Sequence, residues 1–305
     1  NPNGISSFPV KRFVVPVDPA VVKQSGLVQP TDTVGAQFAF AIPENKNDLM
    51  RSDLVILNMI AANNWKRPIY FTSPFGELGF GQYLRKDGLA YLLTPVPAKA
   101  PQETWVVHKA LQEARFGGTS IRENMGDQYE NLMKRFHFGG ADLFGVYFDE
   151  ENRRHLLNIR ATMAEGAGIL ADAGRTKEAQ DVLARAESGI NPANLPYAMV
   201  SRYNSHNQTG IIYLEAAYKA GNTALAAKLR DAIGKDLRDQ RRYYEYLRDN
   251  HESAFTGMMQ EYQINEIMLQ VFDVVEQRYN PAKAPSNREV PGAPPAAAAD
   301  SAIRP

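Results

Sequence analysis

The sequence predicts an α+β protein, with a mixed α/β portion at the N-terminus, a tetratricopeptide-like helical-repeat portion after it, and a disordered tail rich in proline and alanine. Before residue 149, a segment with helical spacing is succeeded by short apolar runs that glycine and proline bound, as is typical of strands. After residue 149, apolar and small residues recur at helical spacing almost without interruption. Beyond residue 280 the composition cannot form a packed core. We therefore predict a mixed α+β domain at 1–148, a tetratricopeptide-like helical domain at 149–280 and a flexible tail at 281–305.

The clearest helix of the N-terminal portion is predicted just before Trp65. Its apolar residues recur at helical spacing, at Leu54, Leu57, Ile60 and Ala61. Asn63 and Asn64 follow, and asparagine tolerates the left-handed conformation in which many helices end. The helix should therefore end before Trp65.

Two strands are predicted after this helix. Residues 69–72 are apolar and β-branched and lie between two prolines, and residues 89–94 form a second such run. Between the two runs we expect about one helical turn over residues 82–86, ended by Gly88. Residues 13–17 also have a strand pattern, and their proline places them at the edge of a sheet or makes them an extended arm.

A further helix is predicted at 120–136, because large apolar residues recur there at spacings of three and four. The helical portion then begins at Asp149-Glu150-Glu151, where three carboxylates suit the positive end of a helix dipole. The chain should turn at Gly174. The paired helices of tetratricopeptide repeats touch at fixed offsets after this turn. Those offsets are occupied here by Ala179, Leu183 and Ala186.

A looser second copy of this pattern turns at Gly221. The two turn glycines are farther apart than one tetratricopeptide repeat, so an insertion covering about 194–209 must lie between the copies. A last helix is predicted at 253–279.

Composition and charge exclude several classes of function. Lys plus Arg equals Asp plus Glu, at 34 each, so no net charge draws the chain to nucleic acid or to an anionic membrane. The absence of cysteine excludes thiol catalysis and Cys-ligated zinc. The five histidines form no HExxH motif, and no GxSxG motif is present. We predict no catalytic residue, no metal, no cofactor and no nucleic-acid partner.

Five residues are candidates for ligand binding. Tyr203, His206 and Asn207 lie in the insertion at 194–209, where polar and aromatic groups gather at the end of a helical repeat. The concave surfaces of such repeats commonly bind peptides or extended chains. Trp65 and Arg67 are candidates for a shelf that holds a carbohydrate or peptide, because an indole face stacks on apolar surfaces. For both groups, packing in the protein interior is the alternative.

The sequences NNWKRPIYF at 63–71 and DGLAYLLTPV at 87–96 resemble the C-terminal region of a Bacteroidetes family of multi-pass membrane proteins. That family is similar to the protein O-mannosyltransferases, in the membrane-embedded glycosyltransferase class. The family's catalytic residues lie in an N-terminal transmembrane portion to which nothing in this chain corresponds, so the resemblance transfers no catalytic residue. It implies attachment to the membrane through a missing N-terminal transmembrane region, at the periplasmic face of the inner membrane.

From the resemblance and the helical repeats we expect a non-catalytic periplasmic C-terminal domain of a membrane glycosyltransferase-like protein. Such a domain binds or positions an acceptor protein or an assembly partner, so the expected partner is a protein or glycoprotein. A structural scaffold in an envelope complex is one alternative. An autonomous hydrolase or transferase is another, and it predicts a pocket with converging titratable groups where the mixed portion meets the helices.

Overall fold

The computed structural model describes residues 11–28, 32–73, 75–97, 105–114, 124–125 and 129–281. It confirms the predicted α+β fold, with helices dominating the C-terminal portion. The predicted tail lies outside the described residues, apart from Pro281. In chain order the elements are β1 (Arg12–Pro16), α1 (Pro19–Gln24), β2 (Gln37–Ala41), α2 (Arg51–Asn63), β3 (Tyr70–Phe71), β4 (Leu84–Asp87), β5 (Ala90–Leu93), α3 (Val106–Glu113), β6 (Asn124–Met125), α4 (Glu150–Asp172), α5 (Thr176–Gly189), α6 (Ser205–Lys219), α7 (Thr223–Asn250), α8 (Glu252–Gly257) and α9 (Met259–Tyr279).

Two small sheets and an aromatic core form the N-terminal portion. Strands β1 and β2 pair antiparallel, and the second sheet has the order β3-β5-β4-β6, with β6 parallel to β4. Phe38, on β2, lies within 5.2 Å of the rings of Phe40 and Trp65 and within 4.5 Å of the Tyr83 ring, measured between centroids. These large side chains exclude water from the space between the sheets and α2.

The predicted helical turn at 82–86 is confirmed only at its start, where Gly81–Tyr83 form a 3₁₀ turn, and is wrong from Leu84 onward, where strand β4 begins. Leu84 and Lys86 are buried on the same side of the strand, as its period of two requires. Asp87 pairs with Ala90, and Gly88 adopts a positive φ of 68° between them. This geometry makes a tight hairpin from β4 to β5, for which glycine in the loop is well suited.

The predicted helix at 120–136 is also wrong as a continuous element. Residues 124–125 form strand β6, and the helical backbone described in that range is limited to residues 129–135, which include a π-helical turn at Asn131–Arg135. Pairing of residues 124–125 with β4 takes precedence over the local helical spacing. Residues 120–123 and 126–128 lie outside the described residues.

Two helical hairpins form the C-terminal portion, as the spacing predicts. Asp149 caps α4 by accepting the backbone N–H of Asn152 at 2.8 Å. Gly174 and Gly221 turn the two hairpins with φ values of 76° and 68°. Helix α4 packs against both α5 and α6, α6 packs against α7, and α9 packs against α6 and α7. The predicted last helix is divided at Met258 into α8 and α9.

The mixed and helical portions pack tightly against each other. Helix α3 packs against α6 and α9, and Trp105, Val107 and Leu111 belong to the apolar core of the helical portion. A buried ion pair joins Lys86 of β4 to Glu165 of α4 at 2.9 Å. The predicted domain boundary at residues 148 and 149 stays a prediction, and the helical core includes side chains from both sides of it.

Candidate functional site

Trp65 and Arg67 lie in contrasting environments. Trp65 is only 3% exposed and packs edge-on against Phe38, so its ring faces are covered by the aromatic core. Arg67 is exposed. The two side chains therefore do not form an open shelf in this structure. The geometry of Trp65 is that of interior packing, and its role in binding stays a prediction.

Tyr203 lies on a backbone turn in which it and Asn204 both have positive φ, at 54° and 52°. Two consecutive non-glycine residues in this conformation are strained, and surrounding contacts must hold them there. The Tyr203 ring is exposed and stacks beneath the Arg202 guanidinium at 4.9 Å. Of the three candidates in the insertion, Tyr203 alone reaches the surface.

His206 and Asn207 are buried and hold the insertion in place. The His206 Nε2 atom lies 2.7 Å from the carbonyl oxygen of Pro196, which also accepts a hydrogen bond from Arg160 at 2.7 Å. Burial lowers the pKa of His206, so the neutral ring is favoured. The Asn207 side-chain amide donates hydrogen bonds to the side chains of Asn204 and Asp236. Its side-chain oxygen is buried without a hydrogen-bond partner among the described residues. Their binding role stays a prediction.

An open groove of about 350 Å³ lies where the β4–β5 hairpin meets the helical portion. We call it the junction groove, and it is lined by Tyr70, Asp87, Gly88, Leu89, Asn131, Arg135, Phe136, His137 and Ile159. Strand β3 supplies Tyr70, and Asp87 ends strand β4. Asn131 and Arg135 begin and end the π-helical turn, an irregularity that is frequent at functional sites.

Both carboxylate oxygens of Asp87 are held by neutral donors. The Tyr70 hydroxyl donates to Oδ2 at 2.8 Å, and the Asn131 side chain donates to Oδ1 at 2.6 Å. Burial raises the pKa of the Tyr70 phenol, and the hydrogen bond to Asp87 raises it further. The phenol therefore remains a protonated donor at neutral pH. The three side chains form a fixed polar wall, because each restricts the rotation of its neighbour.

Arg135 and His137 supply the other polar groups of the groove. Both are exposed, and neither forms a hydrogen bond or an ion pair with a described residue. A guanidinium in this state presents several donors to a carboxylate, phosphate or carbonyl group. With Leu89 and Phe136 as apolar lining, the groove can bind a polar extended segment or a small polar ligand.

The enzyme alternative predicts a pocket where the mixed portion meets the helices, but no residue that lines the junction groove was predicted as a site residue. One signal was present, since Asp87-Gly88 between two apolar runs is a hairpin pattern that places Asp87 beside a turn. Asn131 and Arg135 gave no such signal, because their surroundings have the spacing of a regular helix. The groove forms from segments that only the tertiary fold brings together.

Residues 2–110 match the family model described as TMEM260-associated domain 2. This region is about a third of the chain, and it contains Trp65, Arg67, Tyr70 and Asp87. The match is compatible with a domain of a membrane protein and with a TMEM260-like family. No curated protein and no solved structure matches the chain.

The described residues contain neither a membrane-spanning helix nor a cluster of metal ligands. None of the helices there combines the length and the apolar character that crossing a bilayer requires. Among the same residues, no group of three or more histidine, aspartate or glutamate side chains is placed to hold a metal ion.

Proposed function

We propose that this chain is a non-catalytic periplasmic part of a membrane glycosyltransferase-like protein, related to the protein O-mannosyltransferases and of Bacteroidetes type, that binds or positions an acceptor protein or assembly partner. The observation that carries the proposal is the junction groove, where a fixed Asp87 lies in the same groove as Arg135 and His137, whose side chains pair with no described residue. Hydrogen-bonding groups of both kinds suit the backbone and side chains of an extended polypeptide. The match of residues 2–110 to a TMEM260-associated domain supports a membrane-protein context.

The proposal predicts that a partner contacts the groove. A photo-crosslinking amino acid at Leu89, which is exposed in the groove, should capture one defined protein or glycoprotein when the chain is produced in the periplasm. The same amino acid at Tyr243, equally exposed on α7, is the control. Capture at both positions, or at neither, would contradict the proposal. Asp87→Ala should reduce capture at Leu89, because the fixed carboxylate is lost.

An autonomous hydrolase or transferase is the second candidate, because the groove brings titratable side chains together at the junction of the two portions. Incubation of the chain with lipid-linked or nucleotide sugar donors and candidate acceptors separates the two functions. Turnover that depends on Asp87 and His137 would establish the enzyme and remove the non-catalytic proposal.

A further inference from the structure

We propose that α2 binds the headgroup region of a lipid bilayer that contains anionic lipids. The surface concerned is distinct from the junction groove, and we call it the exposed face of α2. It is formed by Met50, Leu54, Val55 and Met59, which are 64%, 53%, 57% and 56% exposed. Large apolar side chains exposed side by side on one helix mark an interaction surface, whereas single ones need no explanation.

The opposite side of α2 is buried and attaches the helix to the rest of the protein. Asp53 and Ile60 are buried there, seven positions apart and therefore on one side of the helix. The Asp53 carboxylate accepts the backbone N–H of Met50 at 3.0 Å and pairs with Lys46 at 3.0 Å. These contacts fix the orientation of the helix. Its exposed apolar residues are thereby held outward and cannot turn into the core.

The charges around the exposed face are complementary to anionic lipid. Arg51 begins the helix, Lys66 and Arg67 follow its end, and all three are exposed without a hydrogen bond or ion pair from their side chains to a described residue. No aspartate or glutamate occurs from Leu54 to Gly76. The carboxylates of Asp53, Asp48 and Glu77 act on the charge of Lys46.

Several cations on α7 are arranged differently. On α7, Lys235 and Arg242 both pair with Asp239, and Arg241 pairs with Glu245. Those cations are neutralised within one helix, as is common for a solvated face. The three cations around α2 have no such partner in the part of the chain that the structure describes, and they are available to phosphate groups.

A lipid surface fits the exposed face better than a protein partner does. Interfacial helices place aliphatic side chains at the boundary of the acyl chains and basic side chains at its polar margin, which is the arrangement at both ends of α2. The helix is about 20 Å long, so it can lie flat in this region. The exposed face carries no aromatic side chain, whereas the centres of protein interfaces are enriched in them.

Sedimentation of the full chain with vesicles tests the proposal. We expect binding to vesicles of phosphatidylcholine mixed with phosphatidylglycerol at low ionic strength, and weaker binding to phosphatidylcholine alone or at high salt. The variant Leu54→Gln/Val55→Gln/Met59→Gln should reduce binding at least about tenfold, because the apolar contribution is lost. Its control, Val200→Gln/Tyr243→Gln, removes exposed apolar side chains of the helical portion and should bind as the unaltered chain does.

A second set of variants tests how much the positive charges around α2 contribute to vesicle binding. Arg51→Gln/Lys66→Gln/Arg67→Gln should abolish the preference for phosphatidylglycerol, whereas Lys235→Gln/Arg242→Gln/Arg248→Gln changes net charge equally and should retain it. Circular dichroism of each variant verifies that the helices remain. The proposal is overturned if the unaltered chain does not sediment with anionic vesicles, or if the α2 variants bind as well as their controls. Self-association that the Leu54→Gln/Val55→Gln/Met59→Gln variant abolishes, in the absence of vesicle binding, would assign the face to a second copy of the chain instead.

Discussion

Glu215 lies on α6 with no exposed surface, and its carboxylate accepts the backbone N–H groups of Val106 at 2.7 Å and Val107 at 2.8 Å. These N–H groups begin α3 and have no partner within their own helix. The Tyr279 hydroxyl donates to the same carboxylate at 3.0 Å. A single side chain of the helical portion therefore caps a helix of the preceding portion, and it does so in a place that water does not reach.

The titration of Glu215 should make stability depend on pH. Burial raises the pKa of this carboxyl above the 4.5 of the unfolded chain, although the N–H groups oppose the shift. Between those two pKa values the folded protein binds a proton that the unfolded chain has lost. The free energy of unfolding should therefore fall as the pH rises from 4.5 through the folded pKa.

Urea denaturation over a range of acid to neutral pH measures this effect. Glu215→Gln removes the titrating group, so the difference in free energy of unfolding between the unaltered chain and the variant should shrink or reverse as the pH rises. Glu261→Gln, at an exposed position on α9, controls for the loss of one carboxylate. Parallel profiles for the unaltered chain and Glu215→Gln would contradict the prediction.

At the scale of elements, Trp105, the residue before α3, packs onto α4 at a glycine that leaves room for its ring. A Cβ atom at Gly168 would lie 2.2 Å from the Trp105 ring, well inside the distance at which atoms repel. On its other side, the Lys219 ammonium lies 4.4 Å from the centre of the same ring and pairs with Asp172. The indole is thus held by both α4 and α6.

Gly168→Ala should lower the free energy of unfolding by about 1–3 kcal/mol, because the Trp105 ring must move away from α4. Gly257→Ala is the matched control, since nothing lies within 4 Å of its added Cβ and alanine favours helix. Trp105→Ala in combination with Gly168→Ala should cost less than the sum of the two single changes. Additive effects in chemical denaturation would show that the ring and the glycine do not interact.

The elements that the sequence predicts well are those whose signals are local. The hairpins that turn at Gly174 and Gly221, the start of α4 at Asp149 and the strand containing Phe71 all follow from spacing, capping and turn residues. The strand at residues 124–125 does not, because its position depends on pairing with β4 across a long sequence separation.

In the candidate sites too, local sequence signals predict some features, whereas others depend on the tertiary fold. Residues 205–209 of the predicted insertion form the start of α6, and the burial of His206 and Asn207 there depends on partners such as Pro196 and Asp236, which spacing does not reveal. Tyr70, Asp87 and Asn131 meet through a hairpin and a π-helical turn, and neither appears in a regular periodic pattern. A constellation built from three separate segments requires the tertiary fold.

For the molecule as a whole, the junction groove depends on how the mixed and helical portions are joined. Tyr70 and Asp87 come from the sheet, whereas Ile159 comes from α4. Close to this groove in the fold, Lys86 of β4 pairs with Glu165 of α4, and their side chains are 10% and 9% exposed. Because Lys86 adjoins Asp87 in the chain, this buried ion pair helps to position the groove relative to the helices.

Removing one partner of the buried pair should therefore lower the free energy of unfolding strongly. Removing both partners should lower it much less. Lys86→Met leaves the Glu165 carboxylate buried without this cation, and we expect the free energy of unfolding to fall by about 3–5 kcal/mol. Lys86→Met/Glu165→Met should regain most of that loss, since apolar groups of similar size fill the space. Lys134→Met, which disrupts the exposed pair with Glu130, is the control. It should change the free energy of unfolding by less than about 1 kcal/mol. Equal losses for Lys86→Met and Lys134→Met in urea denaturation would show that burial of the pair is not what joins the two portions.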